Sequence, residues 1–453
     1  VNKDGLEDVF IGGSKNEAAG LFLQQKNQRF TKINVPAFDD DKAFEDADAV
    51  IFDANGDGNP DIYVASGGYH DLDPKDPLLQ DRLYLGTGTG NFTKSMGAIP
   101  PTFSSKGCVA VNDINQDGSL DLFVGGRVIP GRYPEAPQSY VLLNDGHGKF
   151  SDQTKVVSPD LQYFGMITDA QWADVNGDAV ADLVIVGDWL PLSVFINRDG
   201  KLQNETLSYF DKSYSGWWNT LQVADVNKDG TLDILAGNMG TNTQFKVSDT
   251  EPVELFYDDF DQNGSVDPLL TYFIQGKSYP NLTRDELLGQ LSKLRPKFNS
   301  YKSYADATLA DILTEDEIKK SRKLRANTME TRLFLGTQQG KFEIAGLPIQ
   351  AQYAPVNEII IADFNQDGDT DVLLFGNNYY FKLRLGKFDA NYGTLLLGDG
   401  KGHFEYVDQN RSGLDVRGAV KSAVRIDDLL LLGINGEFVK SYKVSTSTIE
   451  KVL

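Results

Sequence analysis

A nine-residue acidic loop recurs six times along the chain, and each copy is followed by a short apolar run. The first four copies run Asp53-x-Asn55-x-Asp57-Gly58-Asn59-x-Asp61, Asp113-x-Asn115-x-Asp117-Gly118-Ser119-x-Asp121, Asp174-x-Asn176-x-Asp178-Ala179-Val180-x-Asp182 and Asp225-x-Asn227-x-Asp229-Gly230-Thr231-x-Asp233. Two more follow, Asp259-x-Asp261-x-Asn263-Gly264-Ser265-x-Asp267 and Asp363-x-Asn365-x-Asp367-Gly368-Asp369-x-Asp371. At the chain start Asn2, Asp4, Gly5 and Asp8 keep the same register without the first Asp. A repeat of this kind forces the chain to build the same small unit again and again.

The spacing has a chemical reading. Calcium takes six to eight oxygen ligands. Side chains at loop positions 1, 3 and 5 converge on one point if the backbone curls tightly, and glycine at position 6 permits the curl. Position 7 offers its carbonyl and the Asp at position 9 closes the site. The beginning is that of an EF-hand loop, but an EF-hand closes with Glu at position 12 and is flanked by helices. Here Asp61-Ile-Tyr-Val, Asp121-Leu-Phe-Val and Asp182-Leu-Val-Ile read as buried strands. Asp, Asn and Gly are also ordinary turn residues. Six copies of clustered carboxylates would repel one another, however, and a cation is the economical remedy. The reading is about six structural Ca2+ sites. Ala179 in place of glycine predicts a different turn geometry in the loop at Asp174.

A net charge of −22 argues against nucleic acid or an anionic membrane as a direct partner. Six bound divalent ions would bring it to about −10, so the acidity is largely a property of the loops. The single cysteine, Cys108, excludes an internal disulfide and reads as a core residue. No run of about 18 apolar residues is present, and no signal peptide is visible. The chain opens inside a loop, which predicts that it is a piece or processed product of something longer.

Loop starts at Asp53, Asp113, Asp174 and Asp225 lie 51 to 61 residues apart, a period suited to four strands and their connections. Between the loops a second element repeats, an apolar–Leu–x–Asn/Gly–x–Gly–x–Phe hairpin, as in Tyr84 to Phe92, Leu142 to Phe150, Phe334 to Phe342 and Leu396 to Phe404. The glycines supply the turn conformations that tight hairpins need. Four-stranded antiparallel sheets of this type bury both faces by stacking in a circle. The predicted fold is therefore all-β, a single seven- or eight-bladed β-propeller over residues 1–453. Asp225 and Asp259 are close together and Asp259 and Asp363 far apart, so the Asp259 loop either opens its own blade or lies within a hairpin. Residues 280–331 read as a helical insertion in one blade, with capping boxes at Thr283/Glu286 and Thr314/Glu317 and a locally basic run from Lys293 to Arg325.

These repeats resemble the FG-GAP, or VCBS, repeat of integrin α-chain propellers and many bacterial surface proteins. Four further stretches, Val124 to Pro134, Gly165 to Ala170, Gly216 to Asn219 and Ala354 to Asn357, resemble the C-terminal propeller of large Bacteroidetes proteins that also carry an ASPIC/UnbV segment. The resemblance implies a calcium-stabilised propeller outside the cytoplasm, on the cell surface or outer membrane, often lipid-anchored through sequence upstream. The final repeat, near Arg425, lacks the loop and is expected to be metal-free.

No catalytic constellation stands out. His70, His147 and His403 are scattered, and no zinc or phosphate-cradling signature occurs. Asp39 to Asp41 with Glu45, Asp46 and Asp48 reads as a solvated acidic loop or, alternatively, a further cation site. Aromatic residues near predicted connections, among them Tyr133, Tyr163, Trp189, Trp217, Trp218, Tyr353, Tyr379 and Tyr380, suit sugar stacking or a protein contact, or simple inter-sheet packing. Three functions remain open: a non-catalytic module docking on envelope proteins, a carbohydrate-binding propeller, and a polysaccharide-active enzyme such as a lyase.

Overall fold

Each acidic loop joins two antiparallel strands, and the closing Asp is the first residue of the second strand. In the computed structural model, which describes residues 1–382 and 386–444, Asp46–Phe52 leads through the first complete loop into Asp61–Ser66. Arg82–Gly86 and Phe92–Lys94 complete a four-stranded sheet in simple sequence order. The same plan recurs with Ser105–Asn112 as first strand, then with Met166–Ala173, Thr220–Ala224 and Val356–Ala362. Eight sheets form among the described residues, five of them four-stranded, and the helices are short. The all-β expectation holds.

The first strands pack against one another in succession: Asp46–Phe52 on Ser105–Asn112, that on Met166–Ala173, then Thr220–Ala224, Val356–Ala362 and Val420–Ile426. Hydrogen bonds sew these contacts. Val109 donates its backbone N–H to Asp48 (2.9 Å), Leu221 to Asp169 (2.8 Å) and Ala423 to Glu358 (3.3 Å). All three acceptors lie five residues before a loop start, or at its equivalent, next to a register shift in their strand. Asp41, Asp46 and Asp48 of the acidic stretch are thus held in contacts with the protein, whereas Asp39 and Asp40 are exposed. Asp41 accepts from Tyr84 and Lys94, and Asp46 pairs with Arg82.

The core is a series of layers between neighbouring sheets. Tyr63, Leu83, Leu122, Val124 and Phe150 fill one such layer. Phe123, Ile185 and Phe195 belong to the next, and Trp218, Ile234 and Phe334 to another. Fully burying side chains of this size stabilises by roughly 1.5–3 kcal/mol each. Cys108 lies in one of these layers, as a core cysteine should.

One sheet is interrupted. Asp233–Gly237 pairs with Arg332–Gly336, with Ile234 opposite Phe334. The intervening chain forms a separate four-stranded sheet, ordered Lys277–Pro280, Asp267–Ile274, Val253–Asp258 and Arg322–Ala326. The helical stretch lies between two strands of that sheet and packs Leu287, Leu291, Phe298 and Ile312 on Phe256 and Leu269. Both expected capping boxes are formed, at Thr283/Glu286 and Thr314/Glu317. The Asp259 loop belongs to this extra sheet.

Candidate functional site

The six loops share one hydrogen-bond plan. At position 1, Asp53 accepts the N–H groups of Gly56, Asp57 and Gly58 (2.8, 3.2 and 2.8 Å). Asp113, Asp174, Asp225, Asp259 and Asp363 accept from their own loops in the same way. The Asn at position 3 accepts from the backbone of position 5, as Asn55 does from Asp57, Asn115 from Asp117, Asn176 from Asp178, Asn227 from Asp229 and Asn365 from Asp367. The carboxylate at position 5 in turn accepts the N–H of position 7: Asn59, Ser119, Val180, Thr231 and Asp369. In the loop at Asp259 the amide oxygen of Asn263 takes this role for Ser265. The truncated copy conforms, with Asp4 accepting from Leu6 and Asp8 from Gln24.

Ala179 does not alter the turn. Its φ is +67°, beside +79° for Gly58 and +84° for Gly230, and its N–H reaches Asp174 at 2.8 Å. The expected change of geometry is therefore absent. An alanine in this left-handed region costs roughly 1–2 kcal/mol, and the loop's hydrogen bonds hold it there.

The closing Asp has a role that spacing does not reveal. Asp61 is buried, and its two oxygens accept from Ala54 in its own loop (2.9 Å) and from Gly86 (2.7 Å). Asp121 joins Ile114 and Asn144, Asp182 joins Val175 and Asn197, Asp233 joins Val226 and Gly336, and Asp371 joins Phe364 and Gly398. The second partner is always the Asn or Gly of the repeated hairpin. The two repeated motifs are thus halves of one latch between loop and third strand. Close approach explains the glycines, since a Cβ on Gly398 would lie 2.1 Å from the Thr370 carbonyl oxygen and one on Gly86 2.1 Å from that of Pro60.

Burial, followed by the loop's other carboxylates, pushes Asp121, Asp182 and Asp233 up to about 6. At the exposed position 5, backbone donors hold Asp57 and Asp117 below the usual carboxylate range. Among the described residues, one group of carboxylates brings ligand atoms within 4.8 Å of one another, that of Asp259, Asp261 and Asp267. Two buried carboxylate oxygens lack any partner, Oδ1 of Asp261 and Oδ1 of Asp363, at positions 3 and 1 of their loops. Orphaned carboxylate oxygens in a cluster of negative charge fit a hard cation.

The aromatic candidates divide. Trp218 is wholly buried inter-sheet core, whereas Tyr163, Tyr353 and Tyr380 are exposed on the surface. Tyr379 accepts a hydrogen bond from Gly418. Tyr133, Trp189 and Trp217 converge on a cavity of about 540 Å³, together with Arg127, Asp188, Asn219 and Asn357. Three of the four stretches singled out in the sequence, around Arg127 to Tyr133, Trp217 to Asn219 and Pro355 to Asn357, meet there. Arg127, Asn219 and Asn357 lie within those stretches, whereas Asp188 escaped the sequence reading although it stands beside Trp189 on the strand Asp182–Pro191. The basic helical run is largely paired: Lys293 with Glu317, Lys319 with Glu315, Lys320 with Asp316, Arg322 with Glu135 and Lys323 with Glu254.

The FG-GAP-like repeat family matches residues 1–64, 53–124 and 174–236, spans that contain the truncated loop and the first four complete ones. The chain carries three FG-GAP-like repeats. Comparison with curated proteins returns no match. Among solved structures, the biofilm matrix protein Bap1 of V. cholerae is similar at 10% identity and a TM-score of 0.38, over 97% of this chain and 88% of that one. The exotype rhamnogalacturonan lyase YesX is similar at 12% identity and a TM-score of 0.33, over 97% and 76%. Likenesses at these scores carry no argument about activity.

Proposed function

We propose that the chain is a calcium-stabilised β-propeller that serves as a non-catalytic interaction module of the bacterial cell envelope. The observation that carries this reading is the identical loop-and-latch at the same corner of successive sheets, in a chain with FG-GAP-like repeats. On this reading seven sheets stand in a ring as blades, and the sheet holding Asp259 is an excursion from one of them. The Gln28 side chain, which donates to Asp428 at 2.9 Å, ties the first blade to the last.

Each loop would hold one Ca2+ through the carboxylates at positions 1 and 9, the Asp or Asn side chains at positions 3 and 5 and the carbonyl at position 7. The ion would offset the burial, and with it the carboxylate repulsion, that raise Asp121, Asp182 and Asp233. Open loops of this kind belong with extracellular calcium modules of about 10⁻⁴–10⁻³ M affinity, which supports a place outside the cytoplasm, on the surface or outer membrane. Outer-membrane or surface proteins are the proposed partners, engaged by connections at the rim and by the helical excursion.

The test is affinity isolation of the native protein from solubilised envelope in millimolar calcium, with co-purifying proteins identified by mass spectrometry. A stoichiometric envelope partner, lost when residues 283–330 are deleted from a chain that still folds, is the expected result. Recovery of the protein alone would overturn the docking role.

A further inference from the structure

The cavity beside Trp217 has walls from three sources: strands and connections of the regular sheets, the strand Ser215–Trp217, and the excursion, through Phe245 ahead of the extra sheet and Leu270 within it. Its volume of about 540 Å³ falls within the roughly 300–1,000 Å³ of small-molecule sites. The aromatic wall is rigid. Trp217 meets Trp189 edge-on at 5.2 Å and Phe245 edge-on at 5.4 Å, and Trp189 donates its indole N–H to the Tyr133 hydroxyl at 2.9 Å. Trp189 itself is held at φ +64°, an uncommon conformation for so large a residue and one that clusters at functional sites.

The polar groups define what this wall faces. Arg127 is bound to Asp188 at 2.5 Å and Lys382 to Glu286 at 3.1 Å. The formal charges of the lining therefore cancel in pairs, with Lys421 a further cation within electrostatic reach of Arg127 and Asp188. A cationic ligand is thus disfavoured, and the lining itself offers no unpaired charge to a strongly anionic one. Neutral hydrogen-bonding capacity is left over. The indole N–H of Trp217 is buried and has no acceptor. Asn219 spends its amide N–H on Val356, and Asn357 spends its own on Asn377 and Val420. A purely apolar occupant would leave such groups unsatisfied, at about 1–3 kcal/mol for each one buried.

We propose that this cavity binds the ring of a neutral saccharide. A pyranose offers an apolar C–H face to the aromatic wall and hydroxyl groups at its edge. Each hydroxyl both donates and accepts, so vicinal hydroxyls suit the Arg127–Asp188 fork, one accepting from the guanidinium and its neighbour donating to the carboxylate. The carboxamide oxygens of Asn219 and Asn357 accept from further hydroxyls, and a ring or hydroxyl oxygen takes the Trp217 N–H. The excursion shapes the site, since its Phe245 and Leu270 belong to the lining.

The test uses the intact chain in millimolar calcium. Glucose, galactose, mannose, rhamnose and N-acetylglucosamine, with their neutral disaccharides, are titrated while tryptophan fluorescence and saturation-transfer NMR are followed. Saturable binding of at least one neutral sugar is expected, weakened roughly tenfold in Trp217→Phe, which keeps a ring but loses the donor. Leu270→Trp fills the cavity from the extra sheet and abolishes binding by obstruction. Thermal melts accompany both variants, and if Trp217→Phe fails to fold the Leu270→Trp arm decides. The proposal is overturned if the folded wild-type chain binds none of these sugars, if it binds only charged sugars or peptides, or if both folded variants bind as the wild type does. A melt insensitive to EDTA would undo the calcium reading and leave this result standing.

Discussion

Replacing Glu358 by Gln removes a charge that the fold holds against its preference. Glu358 is only partly exposed and enclosed by protein, and burial first, then the charges of Asp169 and Asp48, push its carboxyl up to about 8. Asp48 is pushed up to about 6 and Asp169 upward as well, both chiefly by burial. A carboxyl that binds its proton more tightly folded than unfolded contributes stability that is complete below its unfolded value, about 4.5, and is lost as pH rises through about 8. At about 1.4 kcal/mol per unit the ceiling is roughly 5 kcal/mol. Residual water access and electrostatic coupling to Asp48 and Asp169 reduce this to about 2–3 kcal/mol. Glu358→Gln loses the charge and keeps one of two acceptors, the carbonyl oxygen serving Ala423 while the weak bond from its neighbour Ile359 (3.2 Å) is given up. The variant is expected to match the wild type near pH 4.5 and to exceed it by about 2–3 kcal/mol at pH 9. With unfolding entropy of about 2.1 cal/mol/K per residue, a chain this long shifts by roughly 1 °C per kcal/mol. Paired urea and thermal titrations from pH 4.5 to 9 measure the difference, which cancels the titrating groups not coupled to Glu358. A difference that does not change with pH, or a variant less stable at pH 9, would refute the account of these three carboxylates.

Two further substitutions probe the loops and their latches. Ala179→Gly relieves the left-handed alanine and should stabilise by about 1 kcal/mol in urea titration, whereas a loss would mean that the turn is not as described. Gly398→Ala drives a Cβ to 2.1 Å from the Thr370 carbonyl oxygen and should cost at least about 2 kcal/mol. Gly346→Ala, which meets nothing within 4 Å, is its control and should lie within about 0.5 kcal/mol of the wild type in the same assay.

Much of this architecture was legible because its signals are local. The loop motif names the corner, the strands after Asp61, Asp121 and Asp371 follow from β-branched and aromatic runs, and Thr283/Glu286 mark a helix start within four residues. The latch was not legible, because Asp61 and Gly86 lie on different motifs and only strand pairing joins them. The interrupted sheet was left between two readings for the same reason: the Asp259 loop does lie within a hairpin, but nothing near Ile234 announces that its partner is Phe334. Ala179 misled because glycine's preference at φ > 0 was read as a requirement, whereas three hydrogen bonds to Asp174 hold the alanine there. At the cavity the aromatic residues were conspicuous one by one. Their convergence with Arg127 and Asp188 depends on how strands of different sheets pack.

The central claim is that calcium holds the loops of successive blades, and calcium binding to the purified chain tests it most directly. Equilibrium dialysis gives the stoichiometry, and thermal melts in EDTA and in 10 mM calcium give the linkage. About six ions should bind, and at affinities near 1 mM each site would add about 1.4 kcal/mol at that concentration, raising the melting temperature by several degrees. A chain that binds no calcium and melts identically in EDTA would contradict the account.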